Sequence, residues 1–355
     1  QNRVGAELWY ETRKHTFHGG SRVRQVAIDN TNLETDESID QLINNVLPRF
    51  TYRYNPSQAK RMTIRYRTNS QQPGISDLQP IQDNTNPNRI QIGNANLIPN
   101  YVHSMDISYN TYNALKGRYI YVGGNGNVTQ NAFSDSTVIG PSGVQITKRI
   151  NVDGGFYAVL YAGAGVPMWN RKFMIRPNFS SFYSENVTYL NGQKNTSTTR
   201  NFNMNMSYTF TFDSLEIDIR NNLTYNSPKN TLALINVQDY TSHSYYLGFK
   251  WTVLGGFVFE ANGNYQLNGQ RADGYNLNFL ILNAAITKRF LKTENLELSI
   301  LMNDILNQNV DAQRYVSQTV ITDNFTRIIS RYYMAKLTYR FNNRNSKEED
   351  EKGWF

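Results

Sequence analysis

Between Asn201 and Phe212 the chain reads NFNMNMSYTFTF, with Phe, Met, Met, Tyr, Phe and Phe at the even positions and Asn, Ser or Thr at the odd ones. A hydrophobic period of two marks a β-strand with one apolar and one polar face. The pattern recurs. In SLEIDIRNNLTYN (214–226), Leu215, Ile217, Ile219, Leu223 and Tyr225 alternate with Glu216, Asp218, Arg220, Asn222 and Thr224. YYLGFKWTV (245–253), GFVFEANGNYQLN (256–268) and YYMAKLTYRFN (332–342) behave alike, as do RFTYRYN (49–55), RMTIRYR (61–67) and YVHSMDISYN (101–110). LNFLILNAAI (277–286) departs from it, being apolar on both faces at its centre.

About fourteen such segments can be counted, many of about ten residues or more, against ~5–6 for a soluble strand and ~9–11 for a tilted membrane strand. Connections alternate in length. Short turns are expected near 55–57, 114–117, 166–170, 213–214, 254–256 and 291–295, and longer polar loops near 69–98, 124–143, 185–200, 226–244 and 304–324. Short turns on one side and long loops on the other are the layout of an outer-membrane barrel. A soluble sandwich, propeller or solenoid would show shorter strands or a fixed repeat, and no repeat is present.

The expected fold is therefore all-β: a transmembrane, antiparallel, up-and-down outer-membrane β-barrel spanning 1–342. The apolar side faces lipid and the Asn/Ser/Thr side faces a wet lumen. Lipid cannot satisfy backbone N–H and C=O groups, so a sheet crossing it must close. Tyr101, Tyr109, Tyr161, Trp169, Tyr225, Trp251 and Tyr265 near strand ends are expected to form aromatic girdles. Ordinary cross-strand aromatic pairing is compatible with the same residues.

Composition removes other classes. With no Cys among 355 residues, disulfides, thiolate metal sites and Cys nucleophiles are excluded. Aromatics at 13% argue against disorder. The net charge of +8 would suit nucleic acid, but the basic residues are spread singly along strands such as KRMTIRYR (60–67), so no nucleic-acid partner is expected. The longest uncharged run, around 155–170, is too rich in Gly for a spanning helix. No signal peptide is visible; the expectation is a mature chain or one beginning partway through a larger protein.

Three stretches resemble one family. QQPGISDLQPIQDNTNPNRIQIGNANLIPNYVHSMDISYN (71–110) is similar to the segment of TonB-dependent receptor barrels, closest to the Bacteroidetes type, that reads roughly P-x-x-x-L-x-P…N-P…GNP-x-L-K-P-E before a descending strand. It departs from that pattern at Ala95, Ile98 and Asn100. LSILMNDILNQN (298–309) resembles the penultimate strand with its N-L-x-N/D-x-x-Y exit. RYYMAKLTYRFN (331–342) resembles the last strand with its terminal aromatic. The resemblance spans about 45–342 and maps the chain onto the C-terminal part of a barrel of about 22 strands with a plugged lumen. It implies a barrel-assembly signal at Tyr333, Leu337, Tyr339 and Phe341, read by the barrel-assembly machinery. Residues 343–355, NRNSKEEDEKGWF, follow as a charged periplasmic tail.

No catalytic constellation is visible, no cofactor is implied, and the chain is not expected to be an enzyme. His15 and His18 lie three apart, on opposite faces of a strand, which argues against a shared metal. GGNGN (123–127) lacks the Lys-Ser/Thr of a phosphate loop and reads as a loop or bulge. SDLQPIQDNTNPN (76–88) offers carboxylate and amide oxygens, and Asp77, Gln79, Gln82, Asp83, Asn86 and Arg89 are the candidate ligand residues. Pro73, Pro80 and Pro87 equally explain the stretch as a rigid extracellular turn. Inward charges at Arg61, Arg65, Arg67, Glu216, Asp218, Arg220, Lys250, Glu260, Lys336 and Arg340 are expected to hold a plug.

The resemblance implies an outer-membrane TonB-dependent receptor that imports a nutrient, with lipid and lipopolysaccharide around it. A TonB complex would act through a plug, and a surface lipoprotein or other outer-membrane subunits are possible partners. The alternatives are a barrel subunit of an assembly or secretion complex, and a self-contained fourteen-strand channel for hydrophobic compounds, which requires the first and last strands to pair.

Overall fold

Alternation over ten or more residues per strand dictates long antiparallel strands, and the computed structural model shows them. It describes all residues except 32–37, 80–81, 84, 233–237, 270–277, 292, 310, 317–320, 327–328 and 342–355, so the expected tail lies outside the described residues. The elements are β1 (Asn2–Glu11), β2 (His15–Thr31), β3 (Ser38–Ser57), β4 (Lys60–Gln71), α1 (Ile75–Leu78), β5 (Gln82–Asp83), β6 (Arg89–Ile92), β7 (Asn100–Asn113), β8 (Arg118–Gln130), β9 (Ala132–Ile139) and β10 (Gln145–Val152). They continue with β11 (Gly155–Met168), β12 (Phe173–Leu190), β13 (Gln193–Thr211), β14 (Leu215–Asn230), β15 (Tyr240–Val253), β16 (Phe257–Gly269), β17 (Asn278–Phe290), β18 (Leu296–Asn303), β19 (Asp311–Val316), β20 (Ile321–Thr326) and β21 (Tyr332–Tyr339).

The main sheet has 19 strands. Four of them, β5, β6, β9 and β10, branch off, and the other fifteen form one antiparallel meander, each paired with the next wall strand in sequence. The wall thus has one strand more than the sequence pattern suggests. Among the described residues β1 pairs only with β2, and β21 only with β18, so the sheet is not closed. With fifteen antiparallel strands the first and last run the same way. Direct pairing of β1 with β21 would be parallel, unlike the antiparallel closure of even-stranded single-chain bacterial barrels.

Register fixes the faces. Across β12 and β13, Phe179 stands opposite Met204 and Ile175 opposite Tyr208; across β14 and β15, Leu215, Ile217 and Ile219 oppose Trp251, Phe249 and Leu247. These residues form the lipid face; Leu247 is 56% exposed because no protein covers it. On the other face amides and hydroxyls form ladders: Thr224 donates to Asn203 (2.7 Å), Asn283 to Asn262 (2.9 Å) and Gln266 to Ser242 (2.9 Å). Amides both donate and accept, which suits a wet wall and accounts for the abundance of Asn. The inward charges follow the expected parity. Lys250 pairs with Glu260 at 3.8 Å, Arg220 with Asp218, and Glu297 with both Arg289 (3.1 Å) and Arg340 (3.4 Å).

Several boundaries differ from expectation. The 185–200 stretch is not a loop: β12 and β13 run on to a two-residue turn, Asn191–Gly192, with φ of 48° and 79°. Both residues take the left-handed conformation that type I′ hairpins demand. The 226–244 region is likewise partly strand, belonging to β14 and β15 at its ends.

GGNGN is neither loop nor bulge but the middle of β8. Gly123 makes room for a ring on the lumen side, whereas Gly124 and Gly126 stand opposite Leu160 and Ala158 on the other face. A Cβ at Gly123 would lie 2.6 Å from the Tyr161 hydroxyl, and one at Gly163 of β11 would lie 2.5 Å from the Tyr121 ring. Tyr161 therefore faces the lumen and is no part of a lipid girdle. Tyr121 donates to Asn178 at 2.6 Å there. His15 and His18 do face opposite ways, to Tyr52 (2.9 Å) and Glu7 (2.8 Å) respectively. Among the described residues no helix is long and apolar enough to span a membrane, and no cluster of three His, Asp or Glu could hold a metal.

Candidate functional site

The largest fully buried side chains among the described residues lie in the loops rather than the wall. Leu78 (1% exposed) and Leu97 (0%) pack together, with Ile28 of β2 and Phe133 of β9 against them. Ile28 belongs to the lumen face of β2, so the long connection 72–99 folds inward across the outer mouth.

The local chemistry explains why this connection folds. Asp77 in α1 accepts from the Gly74 amide at 3.3 Å, and the Asp77 amide donates to the Gly74 carbonyl at 3.0 Å, closing one helical turn. In the stretch GNANL, Gly93 lies so close to the Gln79 carbonyl that no Cβ fits. Asn94 accepts from the Asn96 amide (3.2 Å) and donates to the Arg149 carbonyl (2.9 Å), after which Leu97 enters the core. Gln41 of β3 donates to the carbonyls of Ala95 (3.2 Å) and Leu97 (3.1 Å). At the positions departing from the resembled motif, Ala95 offers only its carbonyl, Ile98 is half-exposed, and buried Asn100 accepts from the Gln71 amide at 3.0 Å.

A second connection completes the structure. The hairpin β9–β10 lies within the expected 124–143 loop and beyond it. β10 pairs in parallel with β6, and β9 in parallel with the end of β12, giving a side sheet β5–β6–β10–β9–β12. Asn151 locks it to the first connection, accepting from the Ile98 amide (2.9 Å) and donating to the Ile98 carbonyl (2.8 Å). Arg149 donates to both carboxylate oxygens of Asp77 at 3.0 and 3.2 Å and lies 3.6 Å from Asp135. Leu190, on the lumen side of β12, stands beside Thr137 in this pairing, so the face carrying Thr137, Thr147 and Arg149 also looks into the lumen. The result is a fixed partition, tied to β2, β3 and β12.

Beneath it lies a cavity of about 530 Å³, walled by Arg89, Gln91, Gln145, Thr147 and Arg149 on one side and by Asn186, Thr188 and Asn195 on the other. That size suits a small-molecule ligand. The Arg89 guanidinium makes no ion pair among the described residues, while Arg149 is already engaged. The arrangement can present amide, hydroxyl and guanidinium groups to a polar solute; it holds no nucleophile paired with a base.

The predicted ligand residues divide. Arg89 lines the cavity, and Asp77 reaches it only through Arg149. The Gln79 carbonyl packs closely against Gly93, Asn86 accepts from the Asn88 amide (3.1 Å) as a turn former, and Gln82 with Asp83 forms β5. Pro80 lies outside the described residues. The stretch is thus more than a bare turn, and of its six candidate ligand residues Arg89 alone borders this cavity. Sequence reasoning missed Gln91, Thr147 and Arg149. The signal was there: in QITKR (145–149) Gln145, Thr147 and Arg149 share one face at period two.

At the other end of the chain, Asp304 explains the exit motif after β18. It is 2% exposed and accepts from the amides of Gln308 and Asn309 at 3.0 Å each, while its own amide donates to Asn283 at 2.9 Å. Tyr333, Leu337, Tyr339 and Phe341 lie together on the lipid side of β21 and just beyond, 63%, 70%, 47% and 88% exposed.

In a comparison of folds, the siderophore receptor PirA from Acinetobacter baumannii aligns with 9% identity and a TM-score of 0.36, over 96% of this chain and 64% of that one. The outer-membrane transporter YddB from Escherichia coli aligns with 10% identity and a TM-score of 0.31, over 85% and 54%. The toluene transporter TodX from P. putida gives 10% identity and a TM-score of 0.26, over 86% of each chain. The chain thus spans less than two thirds of the first two. No curated protein matches by sequence. The outer membrane protein beta-barrel family matches residues 6–256 and 233–339, nearly the whole chain, and this is a family of bacterial outer-membrane barrels and not of enzymes. The chain belongs to the outer membrane protein beta-barrel family.

Proposed function

We propose that the chain forms the wall and outer mouth of a receptor that imports a nutrient through a plugged lumen, with a TonB complex acting on the plug. The observation that supports this reading is the partition at the mouth. Two connections fold inward, share a buried core and enclose a polar cavity of about 530 Å³ that opens to the lumen. The strand parity adds an architectural part to the proposal. Fifteen antiparallel strands need an odd number of further strands to close antiparallel, and about seven would complete a barrel of about 22. The lipid-facing aromatics of β21 then serve the barrel-assembly machinery, and a surface lipoprotein could cover the partition from outside.

The test compares a deletion strain with its complemented parent, following solute depletion from rich medium by mass spectrometry, with and without a protonophore. The reading expects at least one solute to be spared by the deletion and by the protonophore alike. Identical depletion in both strains, together with stoichiometric co-purification of another barrel, would replace it with the assembly or secretion subunit.

A further inference from the structure

The inner face of the first four strands carries an unusual excess of arginine. Register places Arg3 directly opposite Arg24 across β1 and β2, and Arg49 directly opposite Arg67 across β3 and β4. Like charges facing each other in a sheet are destabilising, so two such pairs require a counter-charge. Glu7 supplies part of it by pairing with Arg49, but the same carboxylate is shared with His18 (2.8 Å) and Arg22 (2.9 Å), which leaves Arg3, Arg24 and Arg67 without a carboxylate partner among the described residues. Among the described residues Arg3, Arg24, Arg65 and Arg67 make no ion pair, although Asp106 stands opposite Arg65 in register.

Burial sharpens the imbalance. Arg24 is only 8% exposed; one of its terminal nitrogens donates to the Ser70 carbonyl, and its Nε has no partner. A buried guanidinium without a counter-ion is costly even when one of its nitrogens is hydrogen-bonded. Lower on the same wall, Arg65 and Arg67 border a cavity of about 330 Å³ with Asp106, Asn125, Asn127 and Tyr157. The far wall is different: on β14–β16 three carboxylates, Glu216, Asp218 and Glu260, stand with two cations, Arg220 and Lys250.

We propose that the arginine face of β1–β4 is a binding wall for the transported solute, and that this solute is a multivalent anion carrying several carboxylate, sulfate or phosphate groups. The concave setting of Arg65 and Arg67, with amides and a tyrosine hydroxyl around them, fits a small flexible anion better than a flat protein surface. The inference rests on the import reading, since a scaffold barrel admits no solute. Energised uptake of a purely neutral nutrient would leave that reading standing and overturn this one.

The experiment is calorimetric titration of the native full-length protein, extracted from outer membranes in mild detergent, with tetragalacturonate as polyanion and maltotetraose as neutral control. Tetragalacturonate is expected to bind and maltotetraose not, with affinity falling as salt is raised. The double variant Arg65→Gln/Arg67→Gln should lose at least about tenfold in affinity, while Arg65→Lys/Arg67→Lys retains most of it. Both variants must keep the heat-modifiable mobility of the folded barrel. Absence of tetragalacturonate binding, equal binding of maltotetraose, or undiminished binding by the Gln variant would each overturn the proposal. So would a fall in thermal stability of the Gln variant coupled with no tetragalacturonate binding by the native protein, which would make the counter-charge a protein surface inside the lumen.

Discussion

Leu97 has no solvent exposure and sits against Leu78, Ile28 and Phe133, so Leu97→Ala removes the centre of the partition's core without touching a wall hydrogen bond. Deleting a buried leucine to alanine costs about 2–5 kcal/mol, combining lost transfer energy with the cavity left behind. The partition is a satellite unit on a fifteen-stranded wall, so the loss should fall on local opening and not on global unfolding. At about 1.4 kcal/mol per tenfold, amide exchange in 75–98 and 132–152 should accelerate roughly 30- to 4000-fold. Amides of β13–β16 should be unchanged. Hydrogen exchange read by mass spectrometry in detergent measures both. Unaltered exchange in the partition, or equal acceleration in the wall, would refute the idea of a separately cooperative mouth.

Three further outcomes follow from particular contacts. Gly163→Ala should destabilise the wall by about 1–3 kcal/mol through overpacking on the Tyr121 ring, and Tyr121→Ala should remove most of that penalty in a double-mutant cycle of thermal midpoints. Asp77→Asn removes the nearer of two ionic partners of Arg149, leaving Asp135 at 3.6 Å; because the groups are partly exposed the cost is about 1 kcal/mol or less, visible as several-fold faster exchange confined to 74–79 and 145–151. Asp239, at the outer end of β15, accepts from Tyr225 (2.6 Å) and Ser227 (2.7 Å), and these bonds hold its carboxyl below the usual range. Its stabilising effect is therefore complete above the ordinary carboxylate pKa of about 3.9 and fades as pH falls through the lowered value. Protection factors at 240–243, taken relative to intrinsic exchange at each pH, should fall at acid pH in the native chain and be low at all pH values in Asp239→Ala, which accepts neither bond.

The wall was legible because its determinants are local and repeated. Alternation assigns lipid and lumen faces from residues two apart, and Leu215, Ile217 and Ile219 needed no tertiary knowledge. The mouth was not. Leu78 and Leu97 are 19 positions apart in a Pro- and Asn-rich stretch that looks like loop, and their partners Ile28 and Phe133 come from elsewhere in the chain. The β9–β10 strands are short, and β6 joins them by a parallel pairing that no local pattern announces. GGNGN misled for a related reason: glycine in a strand makes sense only when the ring that fills its place, here Tyr161, is known. Of the six predicted ligand residues, only Arg89 lines the cavity, because the sequence showed donor types and not which way each would face.

The sidedness of the wall can be read directly, because these 355 residues contain no cysteine. Single cysteines placed one at a time from Asn201 to Phe210 of β13 would be treated in intact outer membranes with a charged, water-soluble thiol reagent. Labelling should alternate, strong at 201, 203, 205 and 207 and weak at 202, 204, 206 and 208, with lipid-borne quenchers showing the opposite phase. Uniform labelling, or strong labelling at 202, 204 and 206, would contradict a lipid-facing apolar side and with it the membrane barrel.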